Sequence, residues 1–158
     1  MDRYELLAEH LNQQPGIFPR TESGVEIRIL RGLFSEEDAD LALHLTLIPE
    51  NARVIARRAN IPKEKAQEHL ESMARRGLIF STHPEDRPAE YMATQFAVGF
   101  YEFQVDTMDE DLARDASEFL HSFPPEEWQK APQIRTIPVG ESIPTQLEVI
   151  NYEQAGVL

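Results

Sequence analysis

The five histidines, the side chains best suited to metal binding or acid–base chemistry, form no metal-binding or catalytic pattern. On the helices that the sequence predicts, none has a metal ligand three or four residues further along, the spacing that places two ligands on one helical face. They are His10, His44, His69, His83 and His121. We therefore predict structural or surface roles for all five and no bound metal.

The carboxylates also lack a recognisable site. The cluster Asp106, Asp109, Glu110 and Asp111 lacks the glycine and closing glutamate of a calcium loop, and a helix N-terminus explains it better. The chain has no cysteine, which excludes disulfides, thiolate metal sites and thiol nucleophiles. It also has no phosphate loop, nucleophile elbow or zinc-protease helix. We predict a protein that is not an enzyme, with no catalytic residue and no cofactor in this chain.

Basic side chains between residues 51 and 88 form the other candidate set. This stretch carries eight basic and five acidic residues, between acidic flanks, in a chain of net charge −13. If the predicted helix 62–76 reads DNA, the candidate contacts are Lys63, Lys65, Arg75, Arg76 and, in the following turn, Arg87.

The helical phase of 62–76 argues against DNA. At about 100° per residue, the direction opposite the apolar positions Ala66, Leu70 and Met73 is occupied by Glu64, Glu68, Glu71 and Arg75. Carboxylates are repelled by phosphates, and as acceptors they pair well only with the amino group of cytosine. We therefore favour a protein-interaction role and keep a DNA-binding transcriptional regulator as the alternative.

The elements that position these side chains follow a known order. Ser35 is typical of a helix cap, Asn60 of a tight turn, Pro62 of a helix start and Gly77 of a helix end. Two strand-like runs follow, at 78–82 and 90–96. Helix, turn, helix and two-stranded hairpin is the order of the winged helix-turn-helix motif.

Flanking segments predict further helices. Helical spacing indicates helices at 2–13 and 22–34, an aromatic helix at 100–105, and a helix whose capping box joins Thr107 to Glu110. In winged-helix proteins, helices outside the motif commonly pair two subunits. We therefore predict a homodimer seam, with a ligand cleft as a further interpretation of its aromatic members; the seam residues are Leu7, Leu11, Phe100, Phe103, Phe119 and Phe123.

Composition places the chain among globular proteins. Hydrophobic residues make up 41% and charged residues 27% of the 158. No apolar stretch approaches the roughly 20 residues that a membrane span needs, and the N-terminus lacks the pattern of a secretory signal. We expect a cytoplasmic protein that does not contact a membrane.

The chain also resembles the N-terminal part of bacterial ferredoxin-type iron–sulfur proteins. The resemblance lies in the segments 21–28, 42–47, 73–80, 99–104 and 137–139. In that group a cysteine-bearing, ferredoxin-like region follows, so the resemblance implies such a domain or protein as a partner. Because this chain has no cysteine, no cluster ligand is carried over. The sequence also stops abruptly within the next predicted helix, so we expect an expressed fragment or a naturally short relative. The order of elements, more weakly, is similar to that of MarR-type winged-helix regulators.

Together these patterns predict a mainly α fold with a winged helix-turn-helix core, a two-stranded wing, flanking helices and an extended C-terminal segment. The predicted divisions are N-terminal helices at 1–34, the winged helix-turn-helix at 35–97, C-terminal helices at 98–131, and an extended segment or linker at 132–158. The predicted role is a non-catalytic interaction or regulatory module of an iron–sulfur protein.

Overall fold

A computed structural model describes residues 2–16 and 18–122 of the chain. Within these residues the fold is mainly helical, as predicted. Its helices are α1 (Arg3–Asn12), α2 (Val25–Leu33), α3 (Glu36–Ala42), α4 (Ala52–Ala59), α5 (Lys63–Arg75) and α6 (Glu110–His121). None of the described helices is long and apolar enough to cross a bilayer.

A small antiparallel sheet completes the winged-helix fold. It contains β1 (Glu50–Asn51), β2 (Phe80–Thr82) and β3 (Glu90–Met92), in the order β1-β3-β2. The wing was expected to have two strands, and β1 adds a third by pairing its Glu50 with Tyr91. A strand of two residues has no periodicity of its own, so only its pairing defines it.

The junctions of the helix-turn-helix follow the sequence closely. Asn60 adopts the left-handed conformation with φ 54°, and Gly77 does so with φ 70° after α5. The side chain of Asn51 accepts hydrogen bonds from the backbone N–H groups of Arg53 and Val54, which caps α4. These local contacts fix where each helix begins and ends.

The helices pack around one hydrophobic core that extends from α1 to α6. An aromatic group at its centre joins Phe18, Phe96 and Phe119, with ring centroids 4.7–5.5 Å apart. Phe100 is also fully buried and packs edge-on against Phe34. Phe100 and Phe119 are therefore core, as is usual for such side chains, rather than the lining of a ligand cleft.

The predicted dimer seam is largely buried inside the monomer. Leu7, Leu11, Phe100 and Phe119 belong to the core, so these four side chains offer no surface to a second copy. Phe103 is half exposed, and Phe123 lies outside the described residues, as do the segment 132–158 and part of the segment 98–131.

Helix boundaries differ from the sequence prediction in several places. The apolar spacing after Ser35 and the stop at Pro49 predict a helix that continues to residue 48. First, α3 instead ends at Ala42, because i→i+3 hydrogen bonds from His44 N to Leu41 O and from Leu45 N to Ala42 O tighten its last turn. Second, the predicted aromatic helix at 100–105 is wrong: it contains only a 3-10 turn, Glu102–Gln104. Third, α6 is capped by Asp109, which accepts from Leu112 N, and not by Thr107.

The segment before α6 is held by tertiary contacts in place of helical hydrogen bonds. Gln104 Nε2 donates to the carbonyl of Arg76 over 2.8 Å. The ring of Phe103 packs against that of Phe80, with centroids 5.4 Å apart. These contacts attach the segment to the end of α5 and the start of β2, and no local periodicity reports them.

Candidate nucleic-acid interface

The orientation of α5 is set by its buried side chains. Ala66, Leu70 and Met73 are completely buried, whereas Glu64 and Glu68 are exposed. The helix therefore presents Glu64 and Glu68 on the side facing away from the core, as its helical phase predicts, whereas Glu71, which was predicted on the same side, is half-buried. A nucleic acid that contacts the outward side of α5 would therefore lie next to the negatively charged side chains of Glu64 and Glu68.

A buried ionic cluster attaches one side of α5 to α3. Asp38 is 3% exposed and its carboxylate lies 2.9 Å from His69 Nδ1 and in contact with the guanidinium of Arg76. Ser35 completes the cluster through reciprocal cap bonds with Asp38. Burial opposes ionisation of Asp38, but hydrogen bonds from His69, Ser35 and Arg76 outweigh it and lower the pKa of the carboxyl. The rotation of α5 about its axis is fixed by these bonds.

A second ionic contact attaches α4 to β1. The guanidinium of Arg58 donates to the carboxylate of Glu50 and to the carbonyl of His44. The hydrogen bond from Arg58 lowers the pKa of Glu50 and the same bond raises the pKa of Arg58. Arg58 is therefore engaged within the protein.

The structure does not bring the five predicted DNA contacts together. Lys65 lines a cleft with Glu37 and Asp40, on the α3 side of α5, so its charge faces carboxylates. Arg76 is bonded to Asp38 and to the carbonyl of Leu33.

The remaining three candidates lie elsewhere on the surface of the helix-turn-helix and the wing. Arg75 is exposed at the end of α5, beside the groove that Phe103 lines. Arg87 pairs with Glu90 in the wing over 3.1 Å, an exposed pair of the kind worth about 0–1 kcal/mol, so a phosphate can replace the partner. Lys63 lies on the wing side of α5, where it shares a cleft with Arg53.

Five cations of the helix-turn-helix are exposed and have no ion-pair partner among the residues that the structure describes. They are Arg53 and Arg57 on α4, and Lys63, Lys65 and Arg75 on α5. Together with Arg87 in the wing, they come from the three elements with which winged-helix proteins contact DNA. The cations therefore flank the carboxylates of α5.

Two features of this region were not predicted from the sequence. One is the contact of His69 and Arg76 with Asp38, which joins residues 31 and 38 positions apart. The other is the buried side chain of Tyr91, whose hydroxyl has no hydrogen-bond partner within the described part of the chain. The apolar spacing of α5 does not indicate the first contact. The one sequence signal for it is that Asp38, a charged residue, lies on the inner face of the short helix α3, where it needs a partner.

Metal binding has no geometric basis in this part of the molecule. Among residues 2–16 and 18–122, no three histidine or carboxylate side chains lie close enough together to hold an ion. Four of the histidine side chains have hydrogen-bond partners within the protein. His69 bonds to Asp38, and His10 Nε2 lies 3.1 Å from the carbonyl of Leu45. His121 Nδ1 lies 2.7 Å from the carbonyl of Ser117, and His83 Nε2 lies 3.4 Å from the hydroxyl of Ser81.

Comparison with known proteins shows a similarity to a regulator family over the winged helix-turn-helix. A family model described as sugar-specific transcriptional regulator TrmB matches residues 34–97, which are 64 of the 158 residues. No curated protein and no solved structure matches the chain significantly. The match supports a regulator-like winged-helix region and gives no support to the iron–sulfur resemblance. Residues 34–97 thus form a winged-helix region similar to that of transcriptional regulators.

Proposed function

We propose that residues 34–97 are the DNA-binding module of a transcriptional regulator. The sequence alone favoured a protein-interaction role, and this proposal places DNA binding first instead. The observation that carries it is the coincidence of the regulator-family match with the complete winged helix-turn-helix, from the cap of α3 to the end of β3. The ferredoxin-like partner finds no comparable support.

The charge distribution is compatible with DNA binding of a particular kind. Arg53, Arg57 and Lys63 are available for phosphates, while Glu64 and Glu68 would face base edges. In a major groove, a carboxylate accepts a hydrogen bond from the exposed amino group of cytosine. Repulsion between carboxylates and phosphates weakens binding to any sequence that does not offer such a donor, so the module gains selectivity at the cost of general affinity.

Selection from a randomised DNA duplex library tests this proposal. We expect the full chain, at about 50 mM salt, to enrich one sequence motif, with cytosine at positions protected by α5. As a matched pair, Arg53→Glu should abolish enrichment and Arg114→Glu, on α6, should not. A library that stays random after repeated rounds contradicts the proposal.

A protein-interaction module is the second candidate, favoured by the exposed carboxylates of α5. Glu64 and Glu68 on one helical face suit a basic protein surface better than a phosphate backbone. The net charge of −13 acts in the same direction. The selection experiment separates the two candidates, because a protein-interaction module enriches no DNA motif.

A further inference from the structure

A groove runs along the outer edge of the wing sheet. Its volume is about 690 Å³, and it is bounded by the ends of α2 and α5, by the start of β2 and by the 3-10 turn before α6. Ile79, Phe80 and Ser81 all line it. Because successive side chains of a strand point to opposite faces, three consecutive residues line one groove only where the backbone edge of the strand borders it. The edge of β2 therefore faces this groove.

This edge of β2 offers backbone groups for pairing. β2 pairs with β3 on one side, and no strand among the described residues pairs with it on the other side. An edge strand exposes a row of N–H and C=O groups with which an extended chain can pair. Peptides that bind by adding a strand gain affinity from these main-chain hydrogen bonds and specificity from pockets for their alternate side chains. The edge of β2 and the groove beside it provide both.

The lining of the groove combines apolar surface with positive charge. Phe103 is 51% exposed although its ring packs against that of Phe80, and Leu33 is half-buried at the end of α2. Arg75 is exposed on the rim and has no ion-pair partner among the residues that the structure describes. Within the same residues no carboxylate lines the groove, although the chain carries a net charge of −13. A suitable occupant therefore has apolar side chains and a negative charge.

Residues 145–150 of the chain have this composition. They lie outside the described residues, in the segment that the sequence predicts to be extended, and after the last proline of that segment. Leu147 and Val149 alternate with Gln146 and Glu148, which is the pattern of a strand with one apolar face. Glu148 supplies a carboxylate, and the six residues contain no cation. The run therefore matches the groove in both polarity and charge.

The chain is long enough to bring this run to the groove. Thr107, just before α6, lines the groove, and α6 then leads away from it for 12 residues, or about 18 Å. The 22 residues between Ser122 and Thr145 span up to about 70 Å when they are extended. A tethered segment is also present at an effective concentration on the order of millimolar, so even a weak strand pairing is populated.

We propose that residues 145–150 of this chain add a fourth strand to the wing sheet. The run pairs with the outer edge of β2, and Leu147 and Val149 pack in the groove against Phe103. The carboxylate of Glu148 thereby enters a groove whose unpaired cation is Arg75. This proposal does not depend on DNA binding, because strand pairing, apolar contact and charge complementarity all act within the protein.

Disulfide trapping tests the pairing, because the chain has no cysteine of its own. In the full chain, Ser81→Cys on β2 is combined in turn with Leu147→Cys, Glu148→Cys and Val149→Cys, which covers neighbouring registers. The control combines Ser117→Cys, on the exposed side of α6, with the same three changes. Since cross-strand neighbours lie close enough for a disulfide, we expect one of the Ser81→Cys pairs to close within the chain at least about tenfold faster than its control.

Two results of the trapping experiment would overturn the proposal. Equal rates for the Ser81→Cys and Ser117→Cys series show that the run is not held beside β2. A disulfide that forms between two copies in dilute solution, visible as a dimer on a non-reducing gel, shows that the groove takes the segment of a second copy instead.

Hydrogen exchange of the full chain tests the main-chain pairing independently. Leu147→Asp places a charge in the apolar groove, and Val157→Asp makes the same kind of change outside the run. We expect Leu147→Asp to speed exchange at the amides of 145–150 and at outer-edge amides of β2 about tenfold or more, and Val157→Asp to leave both unchanged. Fast exchange of 145–150 in the wild type, or an effect of Leu147→Asp that does not reach β2, overturns the proposal.

Discussion

The Nδ1 atom of His69 lies 2.9 Å from a carboxylate oxygen of Asp38, and this contact joins the centre of α5 to the first turn of α3. Arg76 bonds to the same carboxylate from the C-cap of α5, two turns beyond the helix centre. The two contacts hold one side of α5, and its apolar face lies against the core. The outward side, with Glu64 and Glu68, is therefore determined by the packing and not by the charge that a ligand would prefer.

Removal of the Asp38 carboxylate should destabilise the protein. Asp38→Ala leaves Arg76 and His69 without their partner and removes the cap bond to Ser35, so we expect a loss of about 2–3 kcal/mol in the free energy of unfolding. Urea unfolding measures it. The control is Asp40→Ala, which removes an exposed partner of Arg3 and should cost at most about 1 kcal/mol. Equal losses for the two variants would refute the structural role of the cluster.

The same carboxyl predicts a dependence of stability on pH. Because the folded protein holds the pKa of Asp38 below its ordinary value, the contribution is fully present above about pH 4, the usual range of an aspartate. It is lost as the pH falls through the lowered pKa of the folded state. Unfolding curves between pH 6 and pH 2.5 should show a steeper acid loss for the wild type than for Asp38→Asn. Parallel curves would contradict the prediction.

Two glycines should respond to alanine in opposite directions. Gly77 has φ 70°, and a side chain there meets the Cβ atom of Phe103, so Gly77→Ala should cost about 1–2 kcal/mol or more. Gly32 is exposed in α2 with open space around it, so Gly32→Ala should add about 0.5–1 kcal/mol. Thermal unfolding of the two variants measures both changes in stability. A stabilised Gly77→Ala would contradict the left-handed conformation of Gly77 at the end of α5.

The outward carboxylates should limit affinity for arbitrary DNA. Replacement of Glu68 by lysine turns a repulsion into an attraction, and we expect Glu68→Lys to tighten binding to random duplex at least about tenfold at low salt while cytosine preference falls. Glu9→Lys makes the same charge change on the exposed side of α1. If both variants tighten binding equally, α5 does not face the DNA.

Local chemistry made much of this fold predictable. Ser35, Asn60 and Gly77 each need one backbone conformation or one cap bond, and the structure shows these at the expected positions. The strand at Glu50 and the 3-10 turn at Glu102 were missed because distant partners define them: Tyr91 pairs with the first, and the end of α5 holds the segment that contains the second.

The site was less predictable than the fold. Spacing alone identified Lys63 as a cation of α5, but not that it shares a cleft with Arg53 and the wing. Spacing also placed Arg76 among the cations available to DNA. The buried carboxylate that binds Arg76 lies 38 residues earlier in the chain, so the local pattern does not indicate it. Side-chain partners that come from another element are set by tertiary packing, which periodicity does not report.

DNA binding by residues 34–97 is tested most directly by a fluorescence anisotropy titration of the full chain with the enriched duplex, at about 50 and 200 mM salt. We expect saturable binding at the lower salt, weakened at least about tenfold at the higher salt, and abolished by Arg53→Glu combined with Lys63→Glu. Binding that the double variant retains in full, or no binding by the wild type at the lower salt, would contradict it.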